Sequence, residues 1–541
     1  MREASASEPL MTCRKRIGDV ETGRKSLTRE ESGGWPDCCP DDIRHEGGVT
    51  LHLAFAWNVG TCRPDAKGEV QAGGPREVKN TEAGTRTGQP VVGRKGSVNR
   101  TWTEGVALSG SGTRPTSNGR SPVNRAKPFD IPKREVWEAY KRVRANQGVA
   151  GVDGQSIAEF EKDLTNNLYK LWNRMSSGSY FPPPVRRVEL PKADGGMRPL
   201  GIPTVADRVA QMVVKRFLEP LVEPKFDRDS YGYRPGKSAL EAVGVARQRC
   251  WRYAWVLDLD IKAFFDSIEH NLLMRAVRKH TDCPWVLLYI ERWLKAPVQM
   301  EDGGLVAREK GTPQGGVISP LLANLFLHYG FDRWMRRNYP DIVFERYADD
   351  AICHCQSEAQ ARRLLESLAT RFAECGLTLH PEKTQVVYCK DDDRRGDYPR
   401  QKFDFLGYAF RPRLARRWGG RVGVSFSPAA SDKSLKAVRR ELRGWRLPRR
   451  SDKSLDDLAR MFNPVIRGWI NYYGHYYKST LYPTLRHIDA KLAQWAYWKY
   501  KSLRGHRRRA RHWLDRAAKR QPDLFAHWRL LLGRGWTMGA G

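Results

Sequence analysis

Paired cysteines are the first thing this chain lacks. Its ten cysteines include no CxxC pair and none lies beyond Cys389, which argues against a disulfide framework and against a zinc module. Cys353-His354-Cys355 invites a metal by its spacing, but it continues the apolar stretch that leaves Asp350, and alternating sheet packing accounts for it. An amino-terminal apolar segment is missing as well. The longest early apolar run, Val49 to Trp57, is interrupted by His52 and is too short to span a bilayer. Glu3, Glu8, Asp19 and Glu21 argue against an organellar transit peptide, so a cytoplasmic or nucleoid-associated protein with no membrane partner is expected. Acidic residues are in short supply, 61 against 94 Lys and Arg, and the net charge of +33 repels itself unless a polyanion neutralises it. Nucleic acid is the expected partner.

Apolar residues are plentiful: 40% of 541 residues are hydrophobic, with 18 Trp, 20 Tyr and 18 Phe, enough for several packed cores. They are unevenly spread. Residues 1–127 are rich in Gly, Ser, Thr, Arg and Pro, show no sustained period, and read as a disordered extension. From Ile131 onward helical spacing sets in, and helices, short strands and turns then alternate without a repeating βαβ order, so the fold class expected is α+β over 128–411. Beyond about residue 428 the chain reads as helical and basic. Leu455, Leu458, Phe462, Ile466, Trp469 and Tyr473 step by three or four, with Asn463 placed to cap and Pro464 to open a second helix. A helical unit is expected over 428–510, followed by a basic tail over 511–541.

Two places carry carboxylates in a pattern that packing does not explain. In Trp255 to Ile261 the odd positions are all large and apolar, which leaves Asp258 and Asp260 together on the other face of a strand. Tyr347-Ala348-Asp349-Asp350 sits between two apolar runs, as a hairpin tip would, with both acids exposed at the turn. Adjacent antiparallel strands would bring Asp260 and Asp349 together, and such a cluster suits a pair of Mg²⁺ ions in phosphoryl transfer.

These residues carry a resemblance. Asp260-Ile261-Lys262-Ala263-Phe264-Phe265-Asp266, Gly311-Thr312-Pro313-Gln314-Gly315-Gly316 running on to Asn324, and Tyr347-Ala348-Asp349-Asp350 resemble, in order, the palm motifs of reverse transcriptases. Arg198-Pro199-Leu200-Gly201-Ile202-Pro203, Tyr231 to Gly236, Leu379 to Thr384 and Phe403 to Tyr408 are similar to the group II intron-encoded branch, and Arg467 to Tyr473 to its maturase domain, called domain X. The resemblance implies a right-hand polymerase with fingers and palm, then an all-α thumb and domain X. It implies Asp260, Asp349 and Asp350 as catalytic ligands of two Mg²⁺ ions, with Asp258 and Asp266 behind them. It implies Lys192 and Arg198 on the triphosphate, Phe265 as a ring against the sugar 2′ carbon favouring dNTPs, Gln314 beside template and nucleotide, and Lys383 on the same polyanion.

For the carboxy-terminal unit, rings stacking on bases and cations tracking phosphates suggest RNA contacts by Arg467, Trp469, Tyr472, Tyr473, Lys478, Arg507 and Arg508. The partners implied are the host group II intron RNA, an RNA template with a DNA primer, dNTPs and target DNA. With no cysteines after Cys389, the paired-cysteine endonuclease domain of many relatives is not expected, and a primer would come from elsewhere, such as a replication-fork strand. The leading expectation is an RNA-directed DNA polymerase that assists splicing and mobility of its intron. A splicing-only maturase with lapsed polymerase activity, or a retron- or defence-type reverse transcriptase, are the alternatives.

Overall fold

The computed structural model describes residues 127–191, 196–416 and 422–532. Apart from Lys127, the extension expected over 1–127 lies outside the described residues, as do Lys192 and 533–541. The order of elements is mixed α and β throughout.

A four-stranded sheet lies at the centre, in the order Val343–Tyr347, Asp350–Cys355, Trp255–Leu259, Gln385–Tyr388, with every neighbouring pair antiparallel. Its strands come from distant parts of the chain, and their apolar positions bury one face against the helices Ser319–Leu327 and Glu358–Glu374 in a single hydrophobic core. The other face, through Val256, Ile352 and Val387, packs with the helix Ala239–Cys250 and with the strands Phe403–Phe405 and Tyr408–Arg416. Cys353, His354 and Cys355 are all buried in the second strand, and His354 Nε2 lies 2.6 Å from Glu345 Oε2 on the neighbouring strand. Their setting is sheet packing. A second sheet, Met197–Ile202, Val185–Pro191, Val298–Gln299 and Leu305–Val306, stands apart from the first.

A long hairpin, Tyr408–Arg416 with Val422–Ala430, follows the central unit and forms a three-stranded sheet with Phe403–Phe405. Sequence periodicity does not announce it, because the first strand carries Arg411, Pro412 and Arg413 where apolar alternation would be sought. Arg413 is nevertheless buried, its guanidinium donating to the carbonyls of Ser427 and Ala409 at 3.2 Å each.

Three expectations for the carboxy-terminal region are corrected. Leu455–Tyr473 is one helix, started by a Ser454–Asp457 capping box, and Pro464 lies inside it. The buried stripe Leu458, Phe462, Ile466, Trp469 runs straight through the proline, and burial along it outweighs the one backbone bond lost to the carbonyl of Arg460, an exposed residue. Asn463 does not cap. Its amide nitrogen donates to Leu524 O at 2.8 Å and its oxygen accepts from Ala526 N at 2.9 Å, fastening the end of the chain to this helix. The segment expected as a basic tail is accordingly folded as far as it is described: Arg507–Arg520 is a helix, and Leu514, Ala518, Phe525, Trp528 and Leu531 are buried in the same cluster as Trp469 and Trp495.

The helical unit is tied to the central one by side chains. Tyr472 Oη donates to Leu406 O at 2.7 Å, and Tyr408 Oη donates to Tyr472 O in return. No helix among the described residues is long and apolar enough to cross a membrane.

Candidate active site

Pairing of Leu259 with Ala351 and of Tyr347 with Asp350 fixes where the acids meet. Ala348 and Asp349 form the two-residue tip of the hairpin, Asp350 opens the returning strand, and Asp260 leaves its own strand directly beside them. Asp258 and Asp260 share a face by alternation, and since Asp258 stands opposite Ile352, Asp350 shares that face too. Two non-glycine residues in the left-handed region flank the cluster, Ala348 at φ 58° and Ala263 at φ 47°. Such backbone costs about 1–3 kcal/mol per residue and persists only where its surroundings hold it.

The surroundings that hold the turn are visible. Arg346, buried on the same hairpin, donates to both oxygens of Asp332 at 2.7 and 2.6 Å, to Asn324 Oδ1 at 3.0 Å and to the Ala348 carbonyl at 2.9 Å. Asn324 in turn donates to Gly232 O at 2.6 Å. The Tyr231-Gly232-Tyr233 loop presses on the turn so closely that a Cβ on Gly232 would stand 2.4 Å from Ala348 N, which only glycine permits. On the other side His380 N donates to Asp260 O at 2.8 Å and Thr384 Oγ1 lies 3.3 Å from the same carbonyl. Arg346 and Asp332 are supporting residues that sequence reasoning did not single out, and His380 and Thr384 are supporting residues whose motif was noted without a role for either. A charged pair Glu345-Arg346 inside an apolar strand was the available signal.

Electrostatics mark the cluster as unfinished. Burial raises the carboxyl pKa of Asp349 above its ordinary value, with the charge of Asp260 adding to it. Burial raises Asp350 further, helped by Asp349, Asp258 and Asp260. Burial likewise raises Asp258 to about 7, although Gln385 Nε2 donates to it at 3.0 Å. Arg198 is close enough to oppose the shifts of Asp349 and Asp350, and Lys383 Nζ lies 3.6 Å from Asp260 Oδ2. Hard oxygen donors whose negative charge is under-compensated fit a divalent cation such as Mg²⁺. Among the described residues no three His, Cys, Asp or Glu side chains close around one point. An ion here would therefore complete its shell with water and substrate oxygens, the usual condition of Mg²⁺ in phosphoryl transfer.

These shifts have a thermodynamic sign. A carboxyl raised in the folded state costs nothing below its unfolded pKa of about 4 and costs progressively more as pH rises through its folded value. Metal-free protein is expected to lose thermal stability between about pH 4 and 7, the span from the unfolded to the folded value of Asp258, and Asp258→Asn to flatten that slope. A melting series in EDTA checks it; a slope unchanged by the substitution sinks the assignment.

Around the acids lies a cavity of about 600 Å³, lined among others by Asp258, Asp260, Asp350, Lys383, Phe403 and Arg440. Phe265 is half-buried on the one-turn helix Phe264–Ser267 just after Asp260. The loop of Gln314 is held from another side, Gly201 N donating to Gln314 O at 2.6 Å, on the strand that also carries Arg198. The structure thus gathers Asp260, Asp349, Asp350 and Lys383, with the elements bearing Arg198, Phe265 and Gln314 next to them.

The expected RNA contacts divide. Arg467, Lys478, Arg507 and Arg508 are exposed. Trp469 and Tyr473 are buried, and the half-buried Tyr472 packs its ring 5.5 Å from that of Tyr408 while its hydroxyl donates to Leu406 O, so these three rings are packing residues and are corrected as base-stacking candidates. Trp469 stacks at 5.3 Å on Trp445, which stacks at 4.1 Å on Phe462. Among the described Tyr and Trp rings of this unit, Tyr477 at 39% and Trp498 at 48% are the most exposed.

Known proteins supply the context for this geometry. Residues 190–410 match the reverse transcriptase (RNA-dependent DNA polymerase) family, and residues 435–514 the maturase-specific domain of group II introns. Protein YkfC of Escherichia coli is 31% identical over 324 residues, 53% of this chain and 82% of that protein. The group II intron-encoded protein LtrA of Lactococcus lactis is 34% identical over 195 residues, 36% of this chain and 32% of LtrA. A putative COX1/OXI3 intron 1 protein of Saccharomyces cerevisiae is 28% identical over 197 residues, 36% of this chain and 23% of its own length. The matched segment thus spans most of YkfC but a third or less of LtrA and of the COX1/OXI3 intron 1 protein. A reverse transcriptase domain whose carboxylates meet at one sheet end, continued by a maturase-specific helical domain, makes this chain a member of the group II intron-encoded reverse transcriptase and maturase family.

Proposed function

We propose that the protein is an RNA-directed DNA polymerase that also binds its host group II intron RNA to assist splicing and mobility. The observation that carries the reading is the convergence of Asp260, Asp349 and Asp350 at one end of an antiparallel sheet, with pKa values of the last two raised by burial and mutual repulsion. In this reading residues 128–411 are fingers and palm and 428–510 are thumb and domain X, the latter continuing through the packed helices to 532.

Asp260, Asp349 and Asp350 would hold two Mg²⁺ ions, which would supply acidification of a primer 3′-hydroxyl and neutralisation of the charge on the leaving pyrophosphate. Arg198 and Lys383 neutralise the incoming triphosphate, as does Lys192 outside the described residues. Lys383 is already on Asp260 and exchanges that carboxylate for phosphate. Gln314 borders template and nucleotide. Intron RNA, an RNA template with DNA primer, dNTPs and target DNA are the partners, met in the bacterial cytoplasm or nucleoid, and exposed Arg467, Lys478, Arg507 and Arg508 carry the phosphate contacts.

Phe265 selects the sugar by bulk, since a ring against the 2′ carbon leaves no room for a hydroxyl. Phe265→Val is expected to raise rNTP incorporation by about 10²-fold relative to dNTP, a loss of steric exclusion of about 2–3 kcal/mol. Primer extension on an RNA template with Mg²⁺, with each nucleotide class supplied alone, tests both statements. No DNA product from the wild type overturns the polymerase reading, and an unchanged nucleotide preference in Phe265→Val overturns the role of the ring.

A further inference from the structure

Phe265 can exclude a 2′-hydroxyl only if it does not give way, yet it rides on a one-turn helix, Phe264–Ser267, entered through the left-handed Ala263. Something outside that helix must fix it. Three hydrogen bonds join it and its continuation to the segment that leads into the Gln314 loop. Thr312 N donates to Phe265 O at 2.7 Å and Gly311 N donates to Ile268 O at 2.7 Å. The third is a side-chain bond, His270 Nε2 to Gly311 O at 2.8 Å.

A carbonyl oxygen only accepts, so His270 must carry its proton on Nε2. Burial lowers the imidazole pKa, and the charge of Arg308 adds to the effect. The neutral, Nε2-protonated ring is the form that suits this bond. The contact has no slack: a Cβ on Gly311, at φ +84°, would stand 2.8 Å from Asp266 Cα and from the carbonyl oxygens of Phe265 and Asp266. The far end of the loop is equally fixed, with Gln211 Oε1 accepting from Val317 N at 2.7 Å and Thr312 Oγ1 donating to Ser319 Oγ at 2.9 Å. The Gln314 loop is thus a rigid brace. His270, opening the helix His270–Arg278, is the side chain that clamps the ring-bearing turn to it.

We propose that His270 is a positioning residue for sugar discrimination: its bond to Gly311 O holds the Phe265 turn against the Gln314 loop, so that the ring cannot retreat from a ribose. The proposal rests on the reading of Phe265 given above. Without the clamp the turn keeps its two backbone bonds but can shift by the fraction of an ångström that a hydroxyl needs.

The test is single-nucleotide primer extension by the full chain, reading kcat/KM for dNTP and rNTP in wild type, His270→Ala, His270→Gln and Phe265→Val. His270→Ala is expected to lower the dNTP-to-rNTP ratio about five- to tenfold, the size of one net hydrogen bond, through a gain with rNTP. Glutamine reaches as far as Nε2 and donates an N–H, so His270→Gln is expected to restore most of the ratio. Equal losses with both substrates in His270→Ala, leaving the ratio unchanged, would reduce His270 to a structural residue and overturn the proposal. So would a glutamine variant no better than alanine. An unchanged ratio in Phe265→Val is the separate signature that the ring itself is misassigned.

Discussion

Asp349→Ala is expected to abolish cDNA extension, by on the order of 10³-fold or more, because in the proposed site it takes away one of the carboxylates that would hold the metal ions. The same substitution is expected to leave affinity for intron RNA within about twofold of wild type. Asp349 sits at a two-residue hairpin tip, and its removal takes away buried negative charge, so the fold has no reason to fail. The exposed cations Arg467, Lys478, Arg507 and Arg508 lie on the helical unit and do not depend on it. Primer extension and filter binding on the same preparation measure both. Joint loss of synthesis and binding would contradict the separation of roles. Wild-type extension with no measurable activity alongside intact binding would favour the splicing-only alternative.

Arg346→Ala is expected to destabilise the protein by about 3–5 kcal/mol, because it leaves the buried charge of Asp332 with no hydrogen-bonded cation, His328 Nδ1 standing 3.8 Å away. Asp332 is wholly buried and receives two of the guanidinium's bonds. Urea denaturation followed by tryptophan fluorescence measures the loss. The double variant Arg346→Met with Asp332→Leu removes both charges, and an apolar pair of similar volume is often no less stable than the ion pair it replaces. Stability should therefore return in the double variant while extension does not, because the Ala348 carbonyl still lacks its donor and the turn carrying Asp349 is no longer held. Recovery of both would show that the pair serves only the core. A loss below 1 kcal/mol in the single variant would refute the argument from buried charge.

How much of this was legible in the sequence follows from which interactions are periodic. Asp258, Asp260, Asp349 and Asp350 stand out because each interrupts or ends a strand of period two, and the register between strands completed what alternation had suggested. The brace around them was legible only in part, through the charged Glu345-Arg346 pair inside an apolar strand. Arg346, Asp332 and Asn324 come from three elements and meet only through tertiary contact, and a buried arginine reads in a sequence as a solvated one. The same ambiguity misled the reading of Trp469 and Tyr473, since a ring at helical spacing fits a core stripe and a stacking platform equally well. A strand or hairpin was legible at Phe403 to Phe410, but its continuation to Ala430 escaped notice because Arg413 occupies a buried position, where backbone carbonyls of its own sheet accept from its guanidinium. Pro464 looked like a boundary because a local rule was applied where a continuous buried stripe prevails.

The paired tyrosine bonds between Leu406, Tyr408 and Tyr472 bear on how such a protein can change over time. Tyr408 lies in a cluster with Val256 and Ile352 of the catalytic sheet, so the wall that backs the chemistry is finished by a residue of the maturase helix. A lineage that abandoned DNA synthesis but kept splicing could let Asp349 drift to any small residue. It could not discard Tyr408 or the sheet behind it without uncovering its own RNA-binding half. Loss of function in this architecture should therefore appear as a few altered acids in an otherwise retained polymerase, and shedding the whole catalytic unit should be the rarer outcome.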